Sequence, residues 1–268
     1  MRSPCADAPP AGAADHPKRS DRPTIVWVTK IKFCGITTLD DAERAVSAGA
    51  WAIGLIFWPR SPRRCRLERA VEIGAAVKRR VEVAGVFVNA TLDHVAQTAD
   101  GVGLTMLQFH GDEGPAYCAE AARRTGCRVI KAVRVRGRAD VQALIPFHTD
   151  FHLLDSYTAG VPGGTGETFS WDIARAHRGP VPVILSGGLT ADNVADAIAA
   201  VGPYAVDVAS GVERSPGHKD PSKLVAFADA VRGAVPVGSE PAGSEPAGSE
   251  PAGSEPAGSE RVVGSESR

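Results

Sequence analysis

The chain lacks any stretch approaching the roughly 18–20 consecutive apolar residues of a membrane span, so no transmembrane helix is predicted. It also lacks a surplus of either charge. Its 30 Lys and Arg face 31 Asp and Glu, a formal net charge of −1, so no global basic field argues for nucleic acid or an anionic membrane surface. Any anion must therefore be held locally. Cysteine is sparse, with five residues at positions 5, 34, 65, 118 and 127 and no CxxC pair. That excludes a disulfide scaffold, predicts no structural metal and favours a reducing compartment. The opening MRSPCADAPPAGAADHPKRSDRP has no apolar core of a secretory signal. These absences together predict a cytoplasmic protein.

With 43% hydrophobic residues, the chain can bury a sizeable core. Residues 1–23 read as a disordered leader. From 233 to 268 a five-residue unit of Gly, Ser, Glu, Pro and Ala recurs without any large apolar side chain, which predicts a flexible acidic tail. Between them, over 24–232, strand-like and helix-like segments alternate. The strand candidates are 30–35, 51–57, 83–88, 105–109, 128–133, 151–155, 181–185 and 205–209. Amphipathic stretches follow at 39–48, 67–80, 91–99, 114–125, 138–145, 171–177, 191–200 and 220–231, with Thr38 and Thr190 placed as N-caps. Eight βα units in this length predict a single-domain α/β (β/α)8 TIM barrel. A doubly wound open sheet uses the same units, but no GxGxxG follows the first strand.

In such a barrel, chemistry sits at the C-terminal strand ends. Cys34 ends the first strand in KIKFCGIT, and period-two alternation puts Lys32 on its face. Asp155 ends the sixth in FHLLDS. The glycine turns SGG (186–188) and ASG (209–211) follow strands seven and eight, where Gly187, Gly188, Ser210 and Gly211 suit a phosphate cradle. A thiol and a carboxylate on nearby strand ends, with no histidine-containing triad pattern, suggest proton transfer, Lys32 drawing the thiol pKa down and desolvation raising that of Asp155. A packed core thiol and a capping carboxylate account equally well for the two residues. FWPRSPRRC (57–65) brings Arg60, Arg63 and Arg64 to the rim with Arg66 just after it, either as a solvated face or as a clamp for a second anion.

KIKFCGIT, GLIFWPRSPR, VAGVFVN, LQFHGDE, LLDS, GGTGETFSW, LSGGLTADNV and AVDVASGVE, in this order, resemble the phosphoribosylanthranilate isomerase family over about residues 30–232. The resemblance implies a cofactor-free Amadori rearrangement of N-(5-phosphoribosyl)anthranilate in tryptophan biosynthesis. It implies Cys34 as general base, Asp155 as general acid and Arg63 on the substrate carboxylate. Gly188, Ser210 and Gly211 would hold the phosphate, and Gly164 and Gly166 would lie near the substrate. The sequence departs from the family pattern at Phe33, expected to face away from the barrel axis, and at ASG, where many relatives have SSG.

Asp207 has inward parity and is expected to pair with Lys32 inside the barrel. His110 either lines the site or is a hydrogen-bonded structural histidine. Cys65, Cys118 and Cys127 are expected to be inert. Three alternatives use the same residues. The histidine-pathway isomerase offers an aspartate at both strand ends, a pyridoxal-phosphate barrel would need Lys131 as its Schiff-base lysine, and a non-catalytic phosphometabolite-binding barrel would not need Cys34 and Asp155 together. The partner expected is a small phosphorylated molecule, with no nucleic acid or membrane, for a monomer or homodimer.

Overall fold

The computed structural model describes residues 28–155 and 171–234. Eight parallel strands close in sequence order: β1 (Lys30–Cys34), β2 (Ala52–Ile56), β3 (Glu82–Phe87), β4 (Met106–Phe109), β5 (Arg128–Arg134), β6 (Phe151–Asp155), β7 (Val183–Ser186) and β8 (Ala205–Val208). Pairing of β8 with β1, in the register Lys32 to Asp207, completes the barrel. The helices between and after them are α1 (Leu39–Ser47), α2 (Leu67–Val77), α3 (Leu92–Val102), α4 (Pro115–Thr125), α5 (Arg138–Gln142), α6 (Trp171–Ala174), α7 (Val194–Val201) and α8 (Pro221–Gly233).

Alternation along each strand divides the apolar side chains into two sets. Ala84, Met106, Ile130, Leu153, Ile184 and Ala205 fill the barrel interior. Phe33, Ile53, Leu107, Leu154 and Val206 face outward into the layer beneath the helices. Phe33 is fully buried there, edge-to-face with Phe227 at 6.1 Å, which explains why an aromatic is accommodated at that position.

Thr38 caps α1 as expected, its hydroxyl accepting from Asp41 N at 3.1 Å. Thr190 does not cap α7. Asn193 holds residues 190–193 in a turn, accepting from Thr190 N at 2.9 Å and donating to Gly188 O at 3.0 Å, so the helix starts at Val194. α5 and α6 are each shorter than the apolar periodicity suggested, at five and four residues. One element has no counterpart in the sequence reading. After β8 and a 3-10 turn (Ser210–Val212), β9 (Glu213–Ser215) and β10 (His218–Lys219) form a small antiparallel hairpin before α8.

Candidate active site

Cys34 and Asp155 both occupy C-terminal strand ends of the closed barrel. Cys34 is buried, and its strand register sets it opposite Gly54. A side chain at Gly54 would put its Cβ 2.7 Å from the Cys34 sulfur and 3.2 Å from Lys32 Nζ, so glycine is what leaves room for the pair. Lys32 is fully buried, with Nζ 2.7 Å from Asp207 Oδ1. Ser186 donates to Asp207 Oδ2 at 3.2 Å, completing the polar layer beneath the mouth.

Lys32 pulls the Cys34 pKa down as expected, but the net direction is upward, which corrects the expectation of a lowered thiol. Burial pushes the thiol above its ordinary value, Lys32 and Lys219 oppose that rise, and Asp207 adds to it. Lys32 itself is driven down by burial but ends raised, because Asp207 holds its proton.

His110 faces the site, its Nε2 3.3 Å from Asp155 Oδ2. Its Nδ1 lies 3.5 Å from the amide nitrogen of buried Gln108. Of the rim arginines only Arg63 turns inward; Arg60, Arg64 and Arg66 are exposed. Arg63 meets a protein carboxylate, forking onto Glu213 with Nε 2.9 Å from Oε1 and Nη2 2.8 Å from Oε2. Glu213 and its second partner, Lys219, were missed by the sequence reading. They lie on strands of three and two residues, too short for any periodicity to register, and the only available signal was a charged pair flanking the S-P-G turn.

The two glycine turns interlock. A Cβ on Gly211 would overlap the Leu189 carbonyl oxygen, so the ASG turn packs against the SGG turn only without a side chain. Gly187 and Gly188 turn with φ of 99° and 63°, and Ser210 is exposed at the head of the 3-10 turn. Gly164 and Gly166 lie outside the described residues.

Lys131 faces outward from β5, donating to Gly111 O at 2.7 Å and pairing with Glu113 at 3.3 Å, which is incompatible with a Schiff-base lysine inside the barrel. Burial holds the Cys65 and Cys118 thiols at about 11, in keeping with inert packing. Among the described residues, no group of three or more His, Cys, Asp or Glu is arranged to hold a metal, and no helix is long and apolar enough to cross a membrane.

Residues 31–230 match the family model described as N-(5'-phosphoribosyl)anthranilate (PRA) isomerase. The chain is 52% identical over 197 residues to the N-(5'-phosphoribosyl)anthranilate isomerase of Citrifermentans bemidjiense, covering 74% of this chain and 94% of that protein. It is 46% identical to that of Geotalea uraniireducens, covering 77% of this chain and the whole of that protein. Among solved structures, the phosphoribosyl anthranilate isomerase of Thermotoga maritima superposes with a TM-score of 0.69 at 38% identity, covering 76% of this chain and 99% of that one. A phosphoribosyl anthranilate isomerase complexed with reduced 1-(o-carboxyphenylamino)-1-deoxyribulose 5-phosphate superposes at 0.66 and 36% identity, over 76% and 99% of the two chains.

Proposed function

The chain belongs to the N-(5'-phosphoribosyl)anthranilate isomerase family, and from that premise we propose how its barrel mouth performs the reaction. The enzyme is an isomerase of tryptophan biosynthesis. It converts N-(5-phosphoribosyl)anthranilate to 1-(o-carboxyphenylamino)-1-deoxyribulose 5-phosphate. The site assignment rests above all on Cys34 and Asp155 standing on the same rim of one closed barrel.

In this reading Asp155 gives a proton to the furanose oxygen, and the ring opens to a Schiff base. Cys34, as thiolate, removes the proton from C2′, and the enolamine formed collapses to the ketone. Lys32 and Lys219 favour the thiolate against the burial that opposes it. His110, 3.3 Å from Asp155, fixes that carboxyl group at the mouth. Arg63 receives the anthranilate carboxylate, and Gly187, Gly188, Ser210 and Gly211 receive the phosphate through backbone N–H groups. Gly164 and Gly166 complete the substrate pocket. The catalytic domain spans residues 24–232, acting in the cytoplasm as a monomer or homodimer.

Loss of anthranilate fluorescence from freshly made substrate tests the reading. Wild type turns over, and Cys34→Ser and Asp155→Asn each lose on the order of 10²–10⁴-fold in kcat. Full activity in either variant would sink the assigned mechanism while leaving the family assignment standing.

A further inference from the structure

Glu213 and Lys219 are both buried, and no step above transfers a proton to or from either. Glu213 engages one edge of the Arg63 guanidinium, through Nε at 2.9 and 3.0 Å and Nη2 at 2.8 Å. Nη1 takes no part in that contact. Nη1 and the outer hydrogen of Nη2 form a second edge, whose spacing also matches a carboxylate. Lys219 Nζ donates to Glu213 Oε1 at 3.0 Å, to the Cys34 carbonyl at 2.7 Å and to the Ala209 carbonyl at 3.0 Å. One ammonium thus joins the arginine's anchor, the end of β1 and the first residue of the ASG turn.

The charges make the arrangement directional. Arg63 and Glu213 alone would sum to zero, and an incoming carboxylate would meet Glu213 as a neighbour of like charge. With Lys219 the triad carries a net +1. Glu213 and Lys219 are buried and Arg63 is partly so, an arrangement that would be costly if any bond were missing, and Glu213 is satisfied from both sides.

We propose that Glu213 and Lys219 are positioning residues for the substrate's aromatic carboxylate: Glu213 fixes Arg63 by one edge so that the other is preset for the ligand, and Lys219 supplies the compensating charge. The inference rests on the assignment of Arg63 as the carboxylate clamp.

The test uses two stable phosphorylated probes in calorimetric titration. One is the reduced product, bearing the o-carboxyl group, and the other is the same molecule with a plain phenyl ring. Glu213→Gln is expected to weaken the carboxylated probe about tenfold and the plain one less than about twofold, and in turnover to raise KM more than it lowers kcat. Lys219→Met should give the same selective loss, and Glu213→Asp should restore part of it. Equal weakening of both probes, or of neither, overturns the proposal. If Arg63→Met weakens both probes equally or neither, the clamp assignment itself is overturned; if it weakens the carboxylated probe selectively and Glu213→Gln does not, only the positioning role is. Should Glu213→Gln not fold, the probe ratio in Lys219→Met decides.

Discussion

Lys32 and Lys219 are both sealed from solvent, each bonded to a carboxylate and each beside Cys34, yet their protons are held differently. Burial presses both pKa values down. At Lys32 the charge of Asp207 overcomes burial and the value ends above the ordinary 10.5. At Lys219 burial prevails and the value ends below it: Glu213 holds the proton in place, but Arg63 shares that carboxylate and repels the ammonium. The state of each buried cation here is set by the balance between burial and its carboxylate partner, with Arg63 adding a smaller push at Lys219.

The largest expected effect separates the two lysines by stability. Asp207→Asn strands a buried ammonium and should cost about 3–5 kcal/mol, read from denaturant midpoints. Lys219→Met should cost less, about 1–3 kcal/mol, because Glu213 retains Arg63; equal costs would break the comparison. Next, Gly54→Ala forces a methyl group against the Cys34 sulfur and Lys32 Nζ. It should cost about 1–3 kcal/mol and lower kcat, and an unchanged Tm with unchanged turnover would show the pair to be loosely packed.

A pH series probes the same two cations through their shared neighbour. The proposed mechanism needs Asp155 protonated and Cys34 deprotonated together, so kcat/KM should be bell-shaped in pH, with its alkaline limb set by Cys34 and lying past the ordinary thiol range because that value is raised. Lys219→Met removes a cation that favours the thiolate and should carry that limb still higher; a shift to lower pH would be the wrong sign. For stability the lysines have opposite signs. The raised Lys32 contributes stability in full below 10.5 that is lost as pH rises through its folded value, whereas the lowered Lys219 makes stability rise with pH up to 10.5. Alkaline unfolding of Lys32→Met and Lys219→Met should therefore diverge from wild type in opposite senses. The smallest effect is a control remote from both: Thr38→Ala removes the α1 cap and should cost about 1 kcal/mol with kcat unchanged.

The interior was legible because strands have a period. Inward parity sufficed to align Lys32 with Cys34 and to anticipate the Lys32–Asp207 bond, and the glycine turns announced themselves by composition. The rim was legible only in part. Four arginines in a proline-stiffened loop obey no period, and which one turns inward is settled by Glu213, 150 residues away. The hairpin that delivers Glu213 and Lys219 is built of segments too short to show alternation. The direction of the Cys34 pKa was misread for a related reason: a cation can be seen in a sequence, but the depth of burial that outweighs it cannot.

The seam between β8 and β1 carries an implication for how this enzyme comes into being. Lys32 meets Asp207 across 175 residues, and Lys219 meets the Cys34 carbonyl across 185. Contacts of such separation are the last that a growing chain can make, since they require the largest loop to close. Cys34, its flanking cations and the arginine's anchor are therefore brought together by the same event that shuts the cylinder. Partly folded forms that hold most strands but leave the seam open lack this arrangement, so on the proposed mechanism the onset of turnover during refolding marks the completion of the ring.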